Sequence, residues 1–193
     1  MSTSSTNISA KRIALLSNTE QPLFHTDDLA VLLGIRNANT LRVTSHRLVR
    51  GGILHRIHRG LLSILPPEKI DPLLLGSACL HRFSYVTTES VLRDEGFILQ
   101  SVQAVTFASG VSRKFTVAGH RFVSRRLHER FLHNQQGIVR VGGIFRATAE
   151  RAIADMLYVN PWYSFDRPVD WKKVRALQEE IGYPLTPHRY VDS

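Results

Sequence analysis

Pro66-Pro67 constrains this chain more than any other feature of its sequence. Proline has no N–H to give to a helix or a strand ladder, and it drives the preceding residue out of helical backbone, so two in a row end whatever comes before them. The pair predicts a boundary between a domain over residues 1–68 and a second over residues 69–193. Two small domains suit a chain of 193 residues, and a hydrophobic content of 43% supplies a core for each. No apolar run reaches 18 residues, which excludes a transmembrane helix. Met1 to Ala10 is rich in Ser and Thr without the apolar heart of a signal peptide, and the expectation is a cytoplasmic protein with no membrane partner.

Charge narrows the partner. The net charge is +9 at neutral pH. A fold does not need that excess, and a polyanion would explain it, nucleic acid first. The chain has one cysteine, Cys79, so an intramolecular disulfide is impossible. Cys79 reads most simply as a small buried hydrophobe.

The first domain predicts three helices and a hairpin. Ile8 to Leu16 forms a short helix. Thr26 reads as an N-cap with Asp27 and Asp28 in the first turn, and that helix stops at Gly34. Asn37 or Asn39 caps a third helix that runs to Arg50 and ends at Gly51-Gly52. Two apolar stretches flanking Arg59-Gly60 predict a β-hairpin.

The third helix carries most of the functional information. At 100° per residue Leu41, Ser45 and Leu48 fall on one face. Asn39, Arg42, Val43, His46, Arg47 and Arg50 fall on the other, with Thr40 in the first turn. Arginine pairs bidentately with guanine, asparagine with adenine, and a small apolar group meets the thymine methyl, so this face suits a major groove. A short helix, a glycine turn, a basic helix and a hairpin bearing Arg56, His58 and Arg59 predict a winged helix-turn-helix, with the hairpin as the wing.

The second domain predicts a mixture of helices and strands, so the fold class expected is mixed α+β. Helices are predicted over Pro72 to Phe83, after Thr87 or Thr88 up to Gly96, from Ala149 to Tyr158 behind a Thr148 cap, and from Trp171 to Ile181 behind an Asp170 cap. Strand-rich stretches fall at Val102 to Ala108, Lys114 to Ala118, His120 to Ser124 and Gly137 to Arg146. Between Arg113 and Arg146 stand eight bases and the single acid Glu129. Arg113, Lys114, Arg121, Arg125, Arg126 and Arg130 are therefore candidates for a second nucleic-acid surface. The bland alternative is that they are solvated strand edges, where positive charge discourages aggregation.

The run Leu48-Val49-Arg50-Gly51-Gly52-Ile53-Leu54-His55-Arg56-Ile57-His58-Arg59-Gly60, with Pro66 soon after, resembles the winged-helix segment of the AbiEi antitoxins of type IV toxin–antitoxin systems. Phe24 to Ile35, Tyr85 to Leu92 with Gly96-Phe97, and Ala147-Thr148-Ala149-Glu150-Arg151-Ala152-Ile153-Ala154-Asp155 resemble three further segments of that family, and the likeness spans about residues 10–160. It implies a DNA-binding autorepressor acting on inverted repeats in its own operator. It also implies a cognate nucleotidyltransferase-like toxin encoded beside it, countered without need of a stable complex. Glu150, Arg151 and Asp155 lie inside the last family segment and are candidates for toxin control; read as residues, they make a capped helix with an i, i+4 ion pair.

Enzymatic and metal sites find little support. His55 and His58 are three apart on a strand and point to opposite faces, so no metal is expected. Gly142-Gly143 lacks the lysine of a phosphate loop and reads as a hairpin turn, and no Gly-x-Ser-x-Gly frame occurs. The expectation is a non-enzyme without cofactors that binds double-stranded DNA. Two other readings stay open: a nucleic-acid-processing enzyme targeted by the winged helix, and a non-catalytic adaptor for an acidic partner.

Overall fold

The computed structural model describes residues 14–16, 18–19, 21–101 and 103–185. The protein is mixed α+β, and it divides into two compact units at Asp71/Pro72, three residues beyond the expected boundary. Between the proline pair and the division lies a single turn of 3-10 helix, Pro67–Lys69, with proline at its start. No helix among the described residues is long and apolar enough to cross a membrane.

In the first unit, residues 14–16 are helical and Leu16 is buried; the rest of the helix expected from Ile8 lies outside the described residues. Strand β1 (Leu23–His25) leads directly into α1 (Thr26–Leu32). The expected cap is displaced by one residue. His25 is the N-cap, and the Asp28 carboxylate accepts from its backbone N–H at 3.3 Å. Thr26 is already helical and turns its groups elsewhere: both its N–H and its hydroxyl donate to the Gly60 carbonyl, at 3.0 and 3.2 Å. A long-range acceptor has taken the threonine from local capping.

Helix α1 ends at Gly34, where Gly34 N–H reaches the Val31 carbonyl and Ile35 N–H the Ala30 carbonyl. Helix α2 (Ala38–Arg50) follows, capped by Asn37, whose side chain accepts from Thr40 N–H at 3.0 Å. The same glycine closure recurs at Gly52, and it feeds the chain into strands β2 (His55–His58) and β3 (Leu61–Ser63). The hairpin turn is Arg59-Gly60, as expected. Only Gly60 has positive φ, +84°, so an arginine at the first position is no obstacle. A bulge between Arg56 and His58 bends β2. Strand β3 is central, with β1 and β2 antiparallel on either side. Strand β1 was not foreseen: three residues are too few to show alternation, and it exists because β3 pairs with it. Phe24, Leu29, Leu33, Ile35, Leu41, Leu48, Leu54 and Leu62 make the core.

The second unit is built on a six-stranded mixed sheet. Its strands are β4 (Ser84–Val86), β5 (Ala104–Ser109), β6 (Arg113–Val117), β7 (His120–Arg126), β8 (Ile138–Val141) and β9 (Ile144–Ala147), in the order β6-β7-β5-β4-β9-β8. Gly142-Gly143 makes the β8–β9 turn. The helices are α3 (Pro72–Leu80), α4 (Glu89–Asp94), the single turn α5 (Glu129–Leu132), α6 (Ala149–Val159) and α7 (Trp171–Ile181). Helix α3 is shorter than expected and leaves the helical path at His81, φ +51°. It lies so close to the sheet that a Cβ on Gly76 would sit 2.6–2.7 Å from the rings of Phe107 and Phe122. Thr88 precedes α4, but at φ +48° its hydroxyl makes no cap, while the Thr87 hydroxyl turns to Asp155. The caps at Thr148 and Asp170 form as expected, accepting from Arg151 and Lys173 N–H at 3.3 and 3.1 Å.

Candidate nucleic-acid interface

Helix α2 separates its faces sharply. Leu41, Ser45 and Leu48 are buried, while Asn39, Thr40, Arg42, Val43, His46, Arg47 and Arg50 are exposed. The separation follows from burying one stripe of a 3.6-residue repeat against the unit's core, which turns the basic stripe outward. Arg42, Val43, His46, Arg47 and Arg50 line an open groove of about 640 Å³ whose other wall is Arg56 on β2. Helix and hairpin thus contribute to one concave surface with four guanidinium groups. Among the described residues none of these four arginines forms an ion pair. Arg42 Nη2 donates to Asn39 Oδ1 at 3.0 Å, which holds it along the helix.

The remaining residues expected of the wing stand apart from that groove. Arg59 is exposed at the turn. His58 is half-buried, with Nδ1 2.8 Å from the Arg59 carbonyl. Its Nε2 is buried and, among the described residues, has no hydrogen-bond partner.

The structure sorts the six candidates of the second surface by the pleat of the sheet. Opposed residues on paired strands share a face. Thr116↔Arg121 and Lys114↔Val123 place Lys114 and Arg121 on one face, joined by Arg125 two residues beyond Val123. Arg113, opposed to Ser124, and Arg126 lie on the other face, with Phe107 and Phe122. Arg113 covers the Phe115 ring at 4.9 Å, and Arg130 on α5 covers Phe131 at 4.4 Å. Lys114, Arg121 and Arg125 border a second open groove of about 460 Å³, together with Thr116, Gln103 and Glu89. Arg125 pairs with Glu89, and Arg121 bonds the Gln103 amide.

Glu150, Arg151 and Asp155 are placed very differently from one another. Glu150 is half-buried in the first turn of α6. Arg151 and Asp155 are fully enclosed, at 0% and 1% exposure, and neither has surface to present to a partner. Arg151 uses every N–H it has. Nε donates to Asp155 Oδ1 at 2.9 Å, Nη1 to the carbonyls of Asn134 and Gln136, and Nη2 to the Phe131 carbonyl and the Tyr85 hydroxyl. Asp155 accepts in addition from Tyr85, Thr87 and Tyr183 hydroxyls, at 2.9, 2.7 and 2.7 Å. Burial, and then the negative charge of Asp155, raise both phenols above the ordinary tyrosine range. Burial is the largest influence on the Arg151 guanidinium and works against its charge, but Asp155, Tyr85 and Tyr183 together outweigh it and raise its pKa. The sequence offers Thr87 as a helix cap and Tyr85 within a family-like segment, but nothing in it joins them or Tyr183 to the i, i+4 pair of Arg151 and Asp155; they come together from β4, the residue after it and the chain beyond α7.

Among the described residues no group of three or more His, Cys, Asp or Glu could hold a metal ion. Cys79 is buried on α3, and burial pushes its thiol up to about 11, which leaves it unreactive at neutral pH.

No family model matches this chain, and no curated protein sequence does. Among solved structures, the crystal structure of the RV2827C protein from Mycobacterium tuberculosis is similar, with a TM-score of 0.56 over 92% of this chain and 72% of that one. At 12% identity the likeness is one of fold.

Proposed function

We propose that the first unit is a winged helix that binds duplex DNA with α2 in the major groove, and that the chain is the DNA-binding antitoxin and autorepressor of a type IV toxin–antitoxin operon. The observation that carries the DNA reading is the groove shared by α2 and β2, where Arg42, His46, Arg47, Arg50 and Arg56 surround Val43 and, among the described residues, no carboxylate lines it. Such a surface combines phosphate attraction with side chains able to read base edges.

The antitoxin part of the reading rests on the resemblance of the winged-helix segment and of Ala147–Asp155 to the AbiEi antitoxins. In this reading the second unit counters a nucleotidyltransferase-like toxin, and Arg151 and Asp155 contribute by holding that unit together, since they are enclosed. Footprinting on the DNA upstream of the protein's own gene tests the first part: a protected inverted repeat is expected, and protection no stronger than on random DNA overturns it. Co-expression with the adjacent gene tests the second. Arg42→Ala with Arg47→Ala should abolish repression yet still protect cells from the toxin; loss of protection in that folded variant would refute the separation of the two activities.

A further inference from the structure

Helix α7 carries its charges in an order that does not serve the helix itself. Lys172 and Lys173 stand in its first turn and Glu179 and Glu180 in its last, and all four are exposed. The N-terminus is the positive end of a helix dipole, so each pair sits at the end that disfavours it. Nor do the two pairs neutralise one another along the helix. Lys172 and Glu179, like Lys173 and Glu180, are seven residues apart, beyond the i, i+3 and i, i+4 spacings at which helical side chains meet. Among the described residues Lys172, Glu179 and Glu180 form no ion pair, and Lys173 has only the exposed Asp170, at 3.4 Å.

We propose that α7 is the contact helix of a symmetric dimer, packed antiparallel against α7 of a second copy of this chain. The charge pattern is a palindrome with its signs reversed, and its midpoint is Ala176. Lys172 and Glu180 lie four residues to either side of Ala176, and Lys173 and Glu179 lie three. A two-fold axis at Ala176 sets residues equally spaced before and after the midpoint opposite one another. Every lysine of one copy then faces a glutamate of the other. A second copy supplies this match by symmetry alone, which no unrelated partner does.

The shape of the stripe agrees with its charge. At 100° per residue Lys172, Lys173, Ala176, Glu179 and Glu180 fall within about 120°, with Ala176 at the centre. Val174, Gln178 and Ile181 are buried on the opposite side. A methyl group at the centre lets two helix axes approach to about 8 Å, the close end of helix packing. The stripe has no bulky apolar side chain, and one helix pair covers far less than a standard interface. The dimer is therefore weak, held by charge and loosened by salt.

Sedimentation equilibrium of the full chain over a concentration series, at low and high salt, measures the association. Lys172→Glu with Lys173→Glu is expected to weaken it about tenfold, and Glu179→Lys with Glu180→Lys equally, because either variant sets like charges opposite one another. An equimolar mixture of the two variants should associate at least as well as the parent protein, since one stripe is then wholly acidic and the other wholly basic. Overall charge does not imitate this result: the first variant lowers the net charge of +9 by four, which by itself favours association. Cysteine linkage gives a measurement independent of charge reversal. Ala176→Cys should form a disulfide-linked dimer on air oxidation, because a residue on the axis faces its own copy, whereas Lys172→Cys should link only when mixed with Glu180→Cys. Cys79 is buried and does not compete. A thermal melt of the dilute protein accompanies each variant, and if a reversal variant fails to fold the cysteine set decides. Association that is absent from the parent protein, unchanged in the folded reversal variants, or not restored by mixing them overturns the proposal. Lys172→Cys linking to itself as readily as Ala176→Cys also overturns it. None of these measurements requires DNA, so their failure leaves the reading of the α2 groove untouched.

Discussion

Arg47 and Arg151 carry the same guanidinium, and the two units use it in opposite ways. On α2, Arg47 stands exposed over an open groove beside Arg42, Arg50 and Arg56, and among the described residues none of the four has an ionic partner. On α6, Arg151 is enclosed, and five hydrogen bonds fix it against Asp155, Tyr85 and three backbone carbonyls. A free surface charge attracts a polyanion at little cost to folding. A buried charge contributes nothing outside the molecule, but its removal from water is tolerable only while every donor is matched. The excess of +9 is thus a poor measure of binding capacity by itself; what matters is which arginines the fold leaves unmatched.

The largest effect should come from unmatching Arg151. Asp155→Ala leaves a buried guanidinium without its carboxylate and Tyr85, Thr87 and Tyr183 without their acceptor, and should destabilise the second unit by about 3–5 kcal/mol in a urea titration. Replacing both partners together, Arg151→Met with Asp155→Leu, should cost clearly less than the two single substitutions added together, because neither charge is left unpaired, although three hydroxyls and the carbonyls of Phe131, Asn134 and Gln136 still lose their partners. Additive costs would mean that the pair is not the source of the effect.

The same network predicts an alkaline limit. Tyr85 and Tyr183 have pKa values raised in the folded state, so their contribution is intact below the unfolded-state pKa of about 10 and is lost above it, as only the unfolded chain ionises. Stability should fall by about 1.4 kcal/mol per pH unit for each phenol beyond pH 10. Tyr183→Phe should make that fall shallower.

At the exposed end of the comparison, Arg47→Ala should leave the melting temperature nearly unchanged and weaken promoter binding by about 1–3 kcal/mol, with much less loss on random DNA. Equal loss on both would reduce Arg47 to a phosphate contact. The smallest effects concern the frame. Gly60→Ala places a Cβ at φ +84° and should cost about 1–2 kcal/mol, and Asn37→Ala removes the α2 cap for about 1 kcal/mol. Either loss should appear as reduced thermal stability before any change in base preference.

What is decided locally in this chain is legible in the order of its residues. Asn37, Thr148 and Asp170 cap their helices, Gly34, Gly52 and Gly182 end them, and Arg59-Gly60 and Gly142-Gly143 turn their hairpins, because each feature depends on backbone groups within a few residues. The two faces of α2 are legible for the same reason, since a helix converts spacing into direction. Tertiary structure alone decided the rest. Strands β1 and β4 have three residues each and exist through the partners that flank them. Thr26 lost its capping role to a carbonyl 34 residues away. An i, i+4 Arg–Asp pair reads identically on a surface and in a core, and only the packing of α6 against Tyr85, Phe131 and Tyr183 enclosed it. Which cations of the Arg113–Arg126 stretch share a face was set by the register of β6 on β7, because alternation gives a residue's face relative to its neighbours, and pairing between strands decides which faces coincide.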